Sequence, residues 1–199
     1  MILGDRIRLR KLERADLPKF VEWLNDPEVR AGLGSYLPLS QAEEDRWYEK
    51  MLDRVPEEHV LVVEVREDAR WQMIGSTSFF DLDWHNRKAE FGILIGDKNY
   101  WNQGYGTEIT RLMLKHGFET LNLNRIYLKV FATNPRAKRA YEKAGYVLEG
   151  RLRQTDFRDG QYVDDLIMSV LREEWLKASK QESVGSEQSD AQTDHLHSP

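Results

Sequence analysis

The segment N-Y-W-N-Q-G-Y-G-T-E, residues Asn99–Glu108, decides the fold expected for this chain. Apolar, β-favouring residues precede it and an apolar pattern of helical spacing follows it, so it predicts a strand-to-helix turn with Gly104 and Gly106 at its tip. Glycine lets backbone approach a ligand, and the first amides of the following helix have no intrahelical partner. With the helix dipole, such a turn suits phosphate or pyrophosphate. A tight connection without a ligand explains the turn alone equally well.

Two known phosphate-binding motifs do not match this turn. A dinucleotide-binding fingerprint needs a third glycine where this chain has Ile109. A P-loop needs a lysine before Ser or Thr, but Thr107 follows Gly106. Pyrophosphate held mainly by backbone amides remains the favoured ligand.

Composition limits the class of protein. The chain has 199 residues, a formal charge of −5 and no cysteine, and it has no basic block that would indicate nucleic-acid binding. Met1–Arg10 contains no signal-peptide core, and apolar runs such as Val60–Val63 are too short to span a bilayer. We therefore expect a cytoplasmic protein with no nucleic-acid or membrane partner. Residues 1–176 should form one domain, and the polar residues 177–199 a disordered tail in which His195 and His197 make no metal site.

Outward from the turn, the periodicities predict a mixed α/β domain with the order β-α-α-β-β-β-α-β-α-β-β. Helices are predicted around Leu17–Leu24, from a capping box at Ser40 and Glu43 to Leu52, over Thr107–Leu121, and from an Asn134 cap to Gly145. Residues 28–39 are predicted to be a loop. The predicted strands are Arg6–Leu12, Val60–Val65, Met73–Phe80, Lys88–Ile95, Arg125–Phe131, Tyr146–Phe157 and Tyr162–Leu171.

Three segments together resemble the GNAT superfamily of acetyl-CoA-dependent N-acetyltransferases, most closely its RimJ/RimL-like branch. They are A-E-F-G-I-L-I at Ala89–Ile95, W-N-Q-G-Y-G-T-E at Trp101–Glu108, and N-P-R-A-K-R-A-Y-E-K-A-G-Y at Asn134–Tyr146. The second is similar to the family motif Q/R-x-x-G-x-G/A, and the third to N-x-x-A-x-x-x-Y-x-K-x-G-F. From His85 to about Glu174 the chain also resembles polyamine acetyltransferases.

The resemblance implies the α/β GNAT fold, with a mixed sheet of about six to seven strands, a splayed parallel pair and about four helices. It implies acetyl-CoA as co-substrate, with its pyrophosphate on the turn and its pantetheine arm between the splayed strands, and an amide near Leu94 as oxyanion donor. Trp101 departs from the family's Gln or Arg and removes one side-chain phosphate partner, which Gln103 could replace. The cofactor residues implied are Ile93, Leu94, Ile95, Trp101, Asn102, Gln103, Gly104, Tyr105, Gly106, Thr107, Asn134, Arg136, Ala137 and Lys143. The same helix carries four cations that could contact the cofactor or simply form a solvated helix face: Arg136, Lys138, Arg139 and Lys143.

Two side chains match family positions close to the reacting atoms. Tyr141 corresponds to the tyrosine beside the cofactor sulfur, and we expect it to act as general acid toward the leaving thiolate. Glu90 corresponds to a family base that deprotonates the attacking amine. The alternatives are a core tyrosine on an alanine-lined helix face, and a structural carboxylate paired with Arg87 or Lys88.

The acceptor is the least defined part of this prediction. Family analogy places it near Tyr36, Asp81 and His85, with Asp26, Glu28, Asp83 and Asp156 as further candidates, although acidic residues are common on any surface of this charge. The main hypothesis is acetylation of a primary amine on a protein N-terminus or a small molecule, and a polyamine or aminoglycoside acetyltransferase is the alternative. An acyl-CoA-binding sensor without turnover is a third. Exposed sheet edges are compatible with a homodimer.

Overall fold

A computed structural model describes residues 1–68 and 70–181. They form one eight-stranded sheet in the order β1-β2-β3-β4-β5-β6-β8-β7, with six α-helices. The strands are β1 (Ile2–Leu3), β2 (Ile7–Lys11), β3 (Leu61–Glu67), β4 (Arg70–Asp83), β5 (Lys88–Ile95), β6 (Arg125–Phe131), β7 (Val147–Arg158) and β8 (Gln161–Leu171). The helices are α1 (Leu17–Asn25), α2 (Pro27–Arg30), α3 (Gln41–Leu52), α4 (Tyr105–Lys115), α5 (Pro135–Ala144) and α6 (172–181).

Local signals set the helix ends, as predicted. The Ser40 and Glu43 side chains form the reciprocal capping box at the start of α3. The Asn134 side chain accepts a hydrogen bond from the Ala137 amide at 3.1 Å, and Gly145 ends α5 in the left-handed region at φ +104°. These caps fix the direction in which α5 leaves the sheet.

Several elements differ from the prediction, and the described residues form six α-helices rather than about four. β1 is an additional strand of two residues, so the sheet has eight strands rather than six or seven. The predicted loop 28–39 begins with most of α2, because the Asp26 side chain accepts from the amides of Glu28 and Val29 and Pro27 occupies the first helical position. The third predicted helix begins at Tyr105 rather than Thr107, and its last turn, His116–Thr120, is a π-helix.

Helices cover both faces of the sheet. α1 and α3 pack with Val62 in one buried cluster. The next residue, Val63, faces a larger cluster that contains residues of α4 and α5. This alternation follows from the two-residue period of a strand.

The pair of parallel strands, β5 and β6, separates soon after it forms. In the described chain the two strands pair only where Lys88–Glu90 lies beside Arg125–Tyr127. Beyond this point β5 stays paired with β4 up to Ile95, and β6 stays paired with β8 up to Phe131. The separation confirms the predicted splay and opens a cleft in the sheet.

The C-terminal part of the domain ends in α6. Trp175 of α6 packs against Phe118 with ring centroids 5.6 Å apart, and Lys177 pairs with Glu173 at 2.6 Å. The first five residues of the predicted tail, 177–181, therefore continue a helix. The rest of that tail, with His195 and His197, lies outside the described residues. Every helix within the described part of the chain is too short or too polar to cross a membrane.

Candidate active site

The gap between β5 and β6 is a cleft of about 680 Å³. The glycine turn, Asn99–Glu108, borders it at one end, and α5 borders it on the side of β6. Three carboxylates, Glu90, Asp156 and Asp165, also line the cleft, and we call them the acidic group. The cleft therefore combines two helix N-termini, which favour anions, with a group of carboxylates, which favours cations.

The glycine turn has the geometry of an anion site. Gly104 is the N-cap of α4 at φ +86°, a left-handed conformation that favours glycine. In the described structure no side chain caps this helix, so its first amides remain available at the cleft. A Cβ placed on Gly106 would lie 3.7 Å from Ile95 and Ala140, at ordinary contact distance.

Trp101 does more than replace a polar side chain. Its indole N–H donates to the carbonyl of Ile95 at 2.8 Å, and the Arg136 guanidinium lies 3.6 Å above its ring. Burial lowers the pKa of Arg136, which has no ion pair among the described residues. The Gln103 side chain instead donates to the Asn99 carbonyl, and Gln103 does not line the cleft. At the cleft, the side chain beside Trp101 is therefore the Arg136 guanidinium and not the Gln103 amide.

The other expected cofactor residues all line the cleft, including Asn102, Tyr105, Thr107 and Lys143. Lys138 is directed elsewhere and pairs with Glu142 at 2.6 Å. Two further residues of the same helix face, Arg139 and Ala140, also line the cleft. The sequence signal for Ala140 was its place one turn after Ala137.

The sheet register separates the backbone groups of β5 into two sets. The Gly96 amide donates to Ile74 beside β4, whereas the Arg87 carbonyl accepts from Asn124 beside β6. Because alternate residues of a strand direct their backbone groups to the same neighbour, Leu94 faces β4, and Ile93 and Ile95 face the cleft. The amide expected near Leu94 is thus that of Ile93 or Ile95.

Tyr141 lies in the cleft against an aromatic cluster. Its ring contacts Phe91 edge-on at 6.3 Å and Tyr146 at 5.9 Å. Burial raises the pKa of Tyr141 to about 12. The phenol therefore keeps its proton at neutral pH and can donate it.

Glu90 lines the cleft among other ionisable groups. Burial raises its pKa, and the nearby Asp81 and Asp165 raise it further, whereas Lys129 and a hydrogen bond from Tyr127 act in the opposite direction. A carboxylate with a raised pKa is a better base toward an ammonium ion than an exposed one.

Neither basic neighbour of Glu90 in sequence pairs with it. Arg87 donates to Asn122, and Lys88 lies 3.9 Å from Asp83.

The expected acceptor residues are mostly outside the cleft. Tyr36 is 77% exposed, and neither it nor Asp81 nor His85 lines the cleft in the described structure. Lys98 binds both Asp26 at 2.8 Å and Glu28 at 2.6 Å. The Asp83 carboxylate accepts from Asn86. Of all these candidates only Asp156 lines the cleft.

Sequence reasoning missed two charged residues of the cleft, Lys129 and Asp165. Asp165 is 8% exposed, and burial, followed by the charge of Asp156, raises its pKa. Each residue is next to core residues of its strand, Lys129 beside Leu128 and Val130 and Asp165 beside Leu166. By the two-residue period of a strand, each side chain is directed away from that core, so a charge there breaks no local pattern.

Comparison with known proteins gives a consistent result. Residues 6–147 match the model of the acetyltransferase (GNAT) domain. The chain is 31% identical over 179 residues to a spermidine N(1)-acetyltransferase of Vibrio cholerae, covering 89% of this chain and 100% of that protein. It is 28% identical to the Escherichia coli K12 enzyme of the same name, covering 87% and 90%. A crystal structure of the Vibrio cholerae spermidine N-acetyltransferase with CoA and spermine superposes with a TM-score of 0.77 at 31% identity, covering 86% and 98%.

Proposed function

Because the chain belongs to the acetyltransferase (GNAT) family and is an acetyl-CoA-dependent N-acetyltransferase, we propose that its acceptor is a small polyamine of the spermidine type. The acetyl group moves to a primary amine that enters the cleft at the acidic group. The observation that supports this acceptor is the position of Glu90, Asp156 and Asp165 in the same cleft as the cofactor turn.

A polyamine fits this charge pattern better than a neutral amine does. Asp165 is buried, and an isolated buried carboxylate is costly unless a cation accompanies it. Lys129 and Arg158 compensate only part of the three negative charges. A substrate with several ammonium groups supplies the remainder, whereas a monoamine supplies one charge at the reacting position.

In the proposed complex the cofactor lies along β5. Its pyrophosphate accepts from the open amides at Tyr105, Gly106 and Thr107, and Arg136 on Trp101 supplies a cation nearby. The pantetheine arm extends past Ile95 and Ile93 as an added strand does at a free edge. The remaining cofactor contacts are Asn102, Asn134, Ala137 and Lys143.

The proposed reaction is a direct attack. Glu90, directly or through a water molecule, takes a proton from the substrate ammonium, and the free amine attacks the thioester carbonyl. The N–C bond forms, and the amide of Ile93 donates to the resulting oxyanion. As the C–S bond breaks, Tyr141 donates its proton to the sulfur, and the second proton of the former ammonium restores the phenol. The products are the acetylated amine and CoA.

A protein N-terminus is the second candidate acceptor. The residues Gly32, Leu33 and Gly34 line the cleft, and in the same loop Tyr36 and Leu37 are 77% and 63% exposed. Exposed apolar side chains beside a cleft suit a peptide. A small polyamine would leave these side chains unused.

We also propose that the chain forms a homodimer through β7, the strand at the end of the sheet. Its partner strand β8 covers only one side of it, and Val147, Leu148 and Leu152 are each about half exposed. An exposed edge with apolar side chains favours pairing with a second strand.

A panel of acceptors tests the proposed function. CoA release from acetyl-CoA is followed with spermidine, spermine, a monoamine, an aminoglycoside and peptides with free N-termini. We expect kcat/KM to be highest for the polyamines. Highest activity with the peptides would replace the polyamine proposal by the second candidate, and release with none of the amines would contradict both.

A variant in the acidic group tests whether these carboxylates hold the polyamine. Asp165→Asn should raise KM for spermidine about tenfold, since one favourable charge contact of about 1.4 kcal/mol is lost, and should change KM for the monoamine less. Asp53→Asn is the control, because Asp53 is exposed and does not line the cleft of the described structure. An equal effect of Asp165→Asn on both amines would contradict a role in holding the polyamine.

A further inference from the structure

One side chain attaches the start of the sheet to the glycine turn. Arg6 lies just before β2, 102 residues from Glu108. Its backbone amide donates to Oε1 of Glu108 at 2.9 Å, and its Nε donates to Oε2 at 2.8 Å. Its guanidinium also lies 4.3 Å from the ring centre of Tyr105 and donates to the Gln103 carbonyl at 3.4 Å. Arg6 therefore contacts the turn before, at and after its first helical residue.

These contacts control charge at the turn. Glu108 is in the first turn of α4, where its carboxylate interacts with the same helix end as a bound anion. Its side chain is 18% exposed, so solvent screens it only partly. An uncompensated charge on Glu108 would repel pyrophosphate, and the Arg6 guanidinium, 2.7 Å away, compensates it.

The same contacts also hold the shape of the turn. Gly104 adopts φ +86° between the Gln103 carbonyl and the first residues of α4, and Arg6 binds groups on both sides of it. A Cβ placed on Gly104 would lie 3.6 Å from Nη2 of Arg6. Arg6 itself does not line the described cleft.

We propose that Arg6 is a positioning residue for acetyl-CoA. Through Glu108 and Gln103 it holds the glycine turn in its pyrophosphate-binding conformation and neutralises the carboxylate beside it. The inference rests on the proposed function, in which the pyrophosphate lies on this turn.

Calorimetric titration with CoA tests the inference without any acceptor. Arg6→Gln should weaken CoA binding about tenfold, and Arg6→Lys should restore only part of the loss, because lysine keeps the charge but lacks the planar fork. Arg14→Gln is the matched control. Arg14 likewise makes an ion pair, with Glu49, and lies 5.3 Å from the ring centre of Tyr48, but its contacts are with α3 and not with the glycine turn, so CoA affinity should not change.

The choice of acyl donor separates positioning from a general loss of structure. With acetyl-CoA, Arg6→Gln should lower kcat/KM about tenfold, whereas with S-acetylpantetheine, which has no pyrophosphate, kcat/KM should not change. An equal loss with both donors would overturn the inference, and so would unchanged CoA affinity in a folded Arg6→Gln variant.

Gly106→Val separates the proposed role of Arg6 from the proposed position of the pyrophosphate on the turn. If Gly106→Val weakens CoA binding and Arg6→Gln does not, the role of Arg6 is wrong and the placement stands. If neither variant changes CoA affinity, the pyrophosphate does not lie on the turn and both are wrong.

Discussion

Burial sets the chemical role available to Tyr141. Burial raises its pKa to about 12, so the phenol in the cleft is protonated at neutral pH and well above it. The neighbouring Tyr146 is also buried, and its hydroxyl has no hydrogen-bond partner in the described structure. The two residues differ in access to the cleft, since only Tyr141 lines it.

Tyr141→Phe should lower kcat about 100-fold, within the range for loss of a general acid, and should change CoA affinity less than twofold. Steady-state kinetics and calorimetry measure the two quantities. Tyr146→Phe is the matched control and should keep kcat near that of the unmodified protein, because removing an unpartnered buried hydroxyl removes no interaction. A similar loss of kcat in both variants would show that the cluster acts by packing alone.

The proposed role of Glu90 as the base predicts how kcat/KM depends on pH at low pH. A base acts only when deprotonated, so kcat/KM for spermidine should fall as pH drops through the pKa of Glu90, which burial raises above 4.5. Asp81→Asn should move this fall to lower pH, because the charge of Asp81 contributes to raising that pKa. A pH profile of the unmodified protein, Asp81→Asn and Glu90→Gln measures the shift. An unaltered profile in Glu90→Gln would assign the base elsewhere.

The sequence predicted residues whose role follows from their neighbours in the chain. Gly104, Asn134 and Tyr141 each lie in a local motif, and the structure places all three at the cleft. Asp165 and Arg6 could not be found this way. Their positions depend on contacts across the sheet and, for Arg6, over 102 residues of chain.

At the scale of elements, a charged pair connects β6 with β7 across β8. Arg125 donates to both oxygens of Glu149 at 2.5 Å, and Ser169 of β8 donates to the same carboxylate at 2.7 Å. The hydrogen bond from Arg125, followed by that from Ser169, lowers the pKa of Glu149 to about 2.

Glu149→Gln should therefore lower the free energy of unfolding in a pH-dependent way. A depressed carboxylate pKa gives stability that is complete above the unfolded value, near 4.5, and is lost as pH falls through about 2. Because Glu149 is 39% exposed, solvent screening limits the expected difference to about 1 kcal/mol at pH 7. Urea unfolding from pH 7 to pH 2 measures it. Glu173→Gln, in an exposed helical pair, is the control, and a difference that persists at pH 2 would contradict the assignment.

Element boundaries were predictable where one physical signal dominates. The bounds of β5 and β6 agree with the prediction because apolar runs end at polar turns. α2 was missed because Asp26 and Pro27 end one helix and also begin the next. A segment of two residues such as Ile2–Leu3 is too short to show a strand pattern. It is a strand only because it pairs with β2.

For the whole molecule, we predict that one edge of the sheet, β7, forms the dimer and that the other edge, β1, does not. We expect light scattering to give twice the monomer mass, and Leu152→Lys on β7 to return it to the monomer, because a charge at an edge prevents strand pairing. Leu3→Lys, on the opposite edge strand β1, should leave the mass unchanged. A monomer mass for the unmodified protein would contradict the proposed dimer.

The overall fold was more predictable than the group of charged residues in the cleft. The order of elements follows from local periodicity, and the family resemblance, carried in part by the motif at Trp101–Glu108, implied which strands separate. That group combines Asp156, Lys129 and Asp165 from three different strands. No spacing along the chain encodes that combination, so only the folded sheet identifies it.

The short pairing of β5 with β6 leaves backbone amides whose hydrogen exchange can report whether the cleft is occupied. In the described structure the amides of Ile93 and Ile95 face the cleft without a strand beside them, while that of Leu94 is paired with β4. In hydrogen–deuterium exchange, the two outer amides should exchange quickly in the free protein and the middle one slowly. Added CoA should slow the outer two selectively, so that occupancy of the cleft becomes visible residue by residue in an alternating pattern along a single strand.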